Sequence, residues 1–155
     1  MKISRRLIHP RRLSNPASVI SECTGKYDGV VLGDPFCQER TGVSLPEMVD
    51  TAAAFRQSGM FLSLQTPVYL TGIDYSFYSD FFRYMAKKGL IDEIRIHDLG
   101  LLSEIRKIAS ESVKICWSIY GWQREFPGMD IPLNQGQIDF LSSMGVNSFE
   151  VTTAM

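Results

Sequence analysis

Short apolar runs begin near residues 3, 29, 61, 91, 113 and 146, and a helix-forming segment follows each of the first five. The intervals run from 22 to 33 residues with no repetition of sequence. Such alternation argues for one parallel sheet joined by right-handed crossovers. Two architectures satisfy it, a doubly wound open sheet and a (β/α) barrel. A Gly-rich phosphate loop would favour the first, but Ile8-His9-Pro10-Arg11 stands after the first strand. A complete eight-stranded barrel takes about 250 residues. With about six strands in 155 residues, this chain as a barrel is a partial TIM-type one.

Punctuation marks the elements. Residues 3 to 9 read as a strand ended by Pro10, and Asn15-Pro16 opens a helix by capping and by a proline at its first position. Gly25 stops that helix near Thr24, and Val30 to Leu32 forms the second strand. Ser44 caps the next helix, which Ser58-Gly59 closes. Phe61 to Thr66 is a strand. Thr71 to Lys88 is a helix whose Phe77, Phe81, Phe82 and Met85 fall largely on one face, as a core stripe does. Ile91 to Ile96, Val113 to Trp117 and Val146 to Val151 complete the strands, with helices over Leu101 to Ser110 and Asn134 to Met144. Residues 1–155 thus read as a single α/β domain.

The formal net charge is −1, which gives no general attraction to nucleic acid or anionic lipid. Lys2, Arg5, Arg6, Arg11 and Arg12 gather at the N-terminus and read as a solvated basic edge, with an RNA contact left open. No apolar stretch approaches a membrane span, and no basic-then-apolar leader is present. Three cysteines at wide spacing, Cys23, Cys37 and Cys116, make no disulfide framework, so a reducing cytoplasm is expected.

In a parallel sheet every strand delivers its last residues to one rim, where such folds bind ligands. That rim collects Asp34, Cys37 and Arg40, then Gln65 and Thr66, His97 and Asp98, Ser118 and Tyr120, and Glu150, Thr152 and Thr153. Cys37 lies in a polar loop with Arg40 and a helix start nearby. These favour a thiolate that suits a nucleophile or a metal ligand, while the plainer reading is a small buried hydrophobe. Cys23 on a helix and Cys116 in an apolar strand read as packing residues. His97-Asp98 suits an acid–base pair only if the strand has ended, because neighbours in a strand face opposite ways. Otherwise His97 is structural and Asp98 caps the next helix. Trp117, Tyr120 and Trp122 suit either ligand stacking or packing under the 119–133 loop. No Ser/His/Asp set or HExxH helix is evident.

Two stretches carry a resemblance. Leu32-Gly33-Asp34-Pro35-Phe36-Cys37-Gln38-Glu39-Arg40 and Ile96-His97-Asp98-Leu99-Gly100-Leu101-Leu102 resemble the collagenase-like peptidase family, peptidase family U32. Within it, the cysteine-bearing loop is most like the branch acting in anaerobic ubiquinone biosynthesis. The resemblance implies the N-terminal half of a (β/α) barrel and a role in oxygen-independent hydroxylation. It implies Cys37 as the first of four ligands to a [4Fe–4S] cluster, the other three cysteines lying outside this chain. It also implies a partner, either a second chain or a C-terminal half. Catalytic candidates are Asp34, Arg40, His97, Asp98 and Glu150. Quinone precursor, RNA base and peptide all stay open as substrates. The alternatives are a non-catalytic binding or assembly subunit, whose open sheet edges another chain would cover, and a peptidase of the same family.

Overall fold

The computed structural model describes residues 5–8, 15–33, 45–67, 72–107, 113–118 and 133–150. Strands β1 (Arg5–Ile8), β2 (Gly29–Leu32), β3 (Phe61–Gln65), β4 (Glu93–Ile96), β5 (Lys114–Trp117) and β6 (Ser148–Phe149) alternate with helices. The helices are α1 (Pro16–Cys23), α2 (Leu45–Gln57), α3 (Gly72–Lys87), α4 (Leu99–Arg106) and α5 (Gln135–Ser143). All five strand pairings are parallel and the spatial order is the chain order, β1 to β6. A doubly wound sheet reverses its order at a switch point. An unreversed order with right-handed crossovers places every helix on one face, and the sheet curls as a barrel wall does. The architecture is a partial (β/α) barrel.

Local chemistry fixes the helix ends. Asn15 Oδ1 accepts from Ser18 N at 3.1 Å, with Pro16 at the first helical position of α1. Asn134 and Gln137 form a reciprocal capping box on α5, each side chain accepting the other's backbone N–H at 2.9 Å. Asp98 Oδ1 accepts from Leu101 N at 2.8 Å, so α4 starts at Leu99, two residues earlier than the spacing suggests. Asp98 is thus a helix cap. Strand β4 is shorter than the apolar run Ile91–Ile96 because Asp92 serves the ladder edge with its side chain. Its carboxylate accepts from Leu62 N at 2.8 Å and from Arg56 Nη1 at 2.7 Å. Its backbone joins β3 and β5 through Asp92 N to Leu62 O and Lys114 N to Asp92 O, both 2.9 Å.

The pleat sorts side chains by parity. Val30, Leu32, Leu62, Leu64, Ile94, Ile96, Ile115 and Trp117 face the helices and join Phe55, Phe82, Met85, Leu101, Leu102 and Ile105 in one core. Burying each large apolar side chain there contributes about 1.5–3 kcal/mol. The expected stripe on α3 is confirmed for Phe81, Phe82 and Met85, while Phe77 lies at its exposed margin. Trp117 and Cys23 belong to this core too.

Two glycines let β2 and β3 approach on the opposite face. A Cβ at Gly29 would stand 2.4 Å from Phe61 O, and one at Gly33 would stand 2.4 Å from Gln65 O. Gly33 also has φ +131°, which side-chain-bearing residues rarely adopt. Gly33→Ala is therefore expected to destabilise the chain by about 2 kcal/mol or more, read as a lower urea midpoint.

Candidate functional site at the inner face

The other parity turns a polar set inward. Register aligns Ser63 with Glu93, Gln65 with Arg95, and Arg95 in turn with Cys116 and Ser148. Ser63 Oγ donates to Glu93 Oε1 at 2.7 Å, and Arg95 Nε donates to the same oxygen at 3.1 Å. Ser148 Oγ donates to Glu93 Oε2 at 3.4 Å, and Arg95 Nη1 donates to Glu150 Oε1 at 3.0 Å. Ser118 Oγ donates to Glu150 Oε2 at 2.5 Å.

Two of these bonds leap a strand. In a flat sheet β4 and β6 lie about 10 Å apart, twice the strand spacing. The contacts from Glu93 and Arg95 to β6 pass over Cys116, as chords across a concave wall. Glu93 is 2% exposed, so its charge depends on these partners. Burial works against the Arg95 charge, yet its pKa is raised, with the carboxylates of Glu150 and Glu93 holding the cation. Burial also pushes the Cys116 thiol up, with Glu93 and Glu150 adding to it against the pull of Ser148 and Arg95. Cys116 is therefore a thiol at neutral pH, not a thiolate.

His97 closes the row above Arg95. Its Nε2 lies 2.8 Å from Pro67 O. A carbonyl only accepts, so Nε2 carries the ring proton. Burial lowers the His97 pKa, with the Pro67 bond and the charges of Asp98 and Glu150 offsetting part of the effect. The ring is neutral, and it is held by its backbone bond.

The sequence candidates thus divide. His97 and Glu150 reach the inner rim, and Asp98 leaves it to cap α4. Asp34, Cys37 and Arg40 lie outside the described residues, as do Tyr120, Trp122, Thr152 and Thr153. Glu93, Arg95, Ser63 and Ser148 were not singled out from the sequence. Their signal was alternation, since each polar residue is followed by one facing the helices. Ser118 bonds to Glu150 and His97 to Pro67, so these two do not form a serine–histidine couple. Among the described residues, no three His, Cys, Asp or Glu side chains are placed to hold a metal ion, and no helix is long and apolar enough to cross a membrane.

No family model and no curated protein matches the sequence. Among solved structures, that of the U32 peptidase Mk0906 superposes with a TM-score of 0.65 at 15% identity. The chain shares the fold of a U32 peptidase. The match takes in 97% of this chain and 58% of Mk0906, so the chain spans little more than half of that neighbour. The partial barrel is therefore the part of the resemblance that the comparison supports.

Two outcomes test the inner face. Arg95→Met leaves Glu93 and Glu150 facing each other without a cation and is expected to cost about 3–5 kcal/mol in urea unfolding. Adding Glu93→Gln should recover part of that loss. His97 sets a pH slope. An unfolded His97 takes a proton as pH falls through about 6.5, whereas the folded ring resists until lower pH. The unfolded state then binds more protons, so stability falls as the solution is acidified below that value. His97→Gln retains an amide N–H for Pro67 and should flatten this slope in urea titrations at successive pH values.

Proposed function

We propose that the chain belongs to the collagenase-like peptidase family and acts as a UbiV-like component of oxygen-independent hydroxylation. The observation that carries the reading is the barrel likeness to a U32 peptidase over 97% of the chain. The sequence Gly33-Asp34-Pro35-Phe36-Cys37 adds the resemblance to the ubiquinone branch. The substrate in this reading is a quinone precursor, bound at the C-terminal rim, with Glu150 and His97 among the groups that line it.

Cys37 is proposed as one ligand of a [4Fe–4S] cluster. This chain alone does not furnish the other three. It has three cysteines in all, and Cys23 and Cys116 are both buried, the first in the helix layer and the second on β5, between Arg95 and Ser148 in the register. The remaining ligands would come from sequence outside these residues or from a UbiU-like partner.

A second reading, a non-catalytic assembly subunit, draws on the sheet edges. β1 and β6 each pair on one side only among the described residues, and unpaired edges invite another chain. Peptidase activity, the property for which Mk0906 is named, has less support, because Ser118 and His97 are engaged separately.

The test is iron. The chain is reconstituted anaerobically with iron and sulfide, together with its completing segment or partner, and metal is counted per chain. Cys37→Ser is expected to lower iron content, since an alcohol replaces a thiolate poorly at iron. Equal iron in both proteins would remove the ligand assignment and leave the assembly reading.

A further inference from the structure

Among the described residues, His97 Nδ1 is a buried side-chain atom with no hydrogen-bond partner. Folded proteins leave few such atoms unpaired, and an unpaired one is costly. Its surroundings follow from the strand register. Ile96 aligns with Trp117, and Trp117 with Phe149. The ladder runs one step further, with Ser118 N donating to Ile96 O at 2.7 Å and Glu150 N donating to Trp117 O at 2.9 Å. His97, Ser118 and Glu150 therefore stand side by side just past their strands, on the inner face shared by Arg95, Cys116 and Ser148.

Two bonds fix where the Glu150 carboxylate lies. Oε2 accepts from Ser118 Oγ at 2.5 Å, and Oε1 accepts from Arg95 Nη1 on β4 at 3.0 Å. The carboxylate thus leans across β5 toward β4, where His97 is the next inner-face residue after Arg95. The His97 ring is turned to meet it. Nε2 is directed at Pro67 O, past the end of β3, and the two ring nitrogens point to nearly opposite sides, so Nδ1 is directed toward the β5 side. Glu150 is near enough for its charge to offset part of the effect of burial on the ring.

The two groups brought together here both accept. With its proton on Nε2, the neutral ring offers only a lone pair at Nδ1, and an ionised carboxylate has no proton to give. A ligand hydroxyl carries one proton and serves only one of them. A primary ammonium carries three, and its charge strengthens the bond to a carboxylate. His97 is 9% exposed, so bulk water does not serve Nδ1, while the Glu150 side chain keeps 21% of its surface open. We propose that the His97–Glu150 pair binds the primary ammonium of an amine ligand, one N–H donated to Nδ1 and another to the carboxylate. The inference does not rest on the hydroxylation reading. Loss of iron in Cys37→Ser leaves it untouched, and failure of an amine to bind leaves the iron assignment untouched.

The experiment follows the histidine side-chain nitrogens of the full chain by long-range nitrogen-15 NMR at constant ionic strength. The sequence has only two histidines, so His9→Gln assigns His97 by elimination. The free ring is expected as the Nε2–H tautomer. Methylammonium should move the Nδ1 resonance upfield and saturably. Tetramethylammonium, which has the charge but no N–H, should not. Glu150→Gln should weaken the methylammonium response about tenfold or more, the worth of one hydrogen bond to a charged group. Glu93→Gln removes an equal charge from the same network and should leave the response nearly unchanged. A free ring protonated at Nδ1, an equal response to tetramethylammonium, or an equal loss in the two variants would each overturn the proposal. Silence toward methylammonium would also overturn it and assign the pair to a bridging water. Should Glu150→Gln fail to fold, the two ammonium ions compared on the unaltered pair still decide the matter.

Discussion

The ion pair from Arg95 to Glu150 spans two strand spacings, its two long side chains meeting over Cys116 on the inner side of the sheet. The contacts from Glu93 to Ser148 and from Arg95 to Glu150 tie β4 to the β6 end of the sheet across β5. Removing ions from water costs several kcal/mol each, so the arrangement survives only with every oxygen served. Ser63, Ser148 and Ser118 supply the remaining donors around Glu93 and Glu150. Barrel interiors are commonly filled by branched apolar layers. Here one wall carries a hydrogen-bonded ionic layer, which specifies strand neighbours more narrowly than interchangeable aliphatic groups would.

The elements were legible because Gly and Pro mark their ends. Asn15-Pro16, Ser58-Gly59, Gly89 and Gly145 delimit helices in the structure as they do in the sequence, and Gly25, Gly59, Gly89 and Gly145 all take positive φ. The choice of a barrel over an open sheet came from the resemblance carried by residues 32–40 and 96–102, and the strand order bears it out. Periodicity alone did not make it, because local pattern does not encode strand order. The inner network was hidden for a related reason. Ile91 to Ile96 alternates as a half-exposed strand would, yet its polar side faces the lumen and not water. Arg95 and Glu150 are 55 residues apart, so each looks solitary in the chain. The His97-Asp98 pair shows the reverse case. Adjacent in sequence, the two residues serve different masters, one the β3 loop and the other the start of α4.

The two ends of the sheet differ in what they leave unsettled. At the N-terminal end, Asp92 has both carboxylate oxygens and both backbone groups in hydrogen bonds. At the C-terminal end, Thr66 Oγ1 and His97 Nδ1 are buried without partners among the described residues. The fully bonded Asp92 sits at the end of the sheet where barrel proteins concentrate stability.

Asp92 has a consequence for how the chain finds its inside. A slip of one residue between β3 and β4 would carry Ile94 and Ile96 into the lumen and press Glu93 and Arg95 against the helices. Such a slip also moves the Asp92 carboxylate away from Leu62 N and Arg56. A misaligned strand pair forfeits the Leu62 bond when it first forms, and the Arg56 bond once α2 has packed. The error is therefore penalised locally and early, while the pair can still separate and try again.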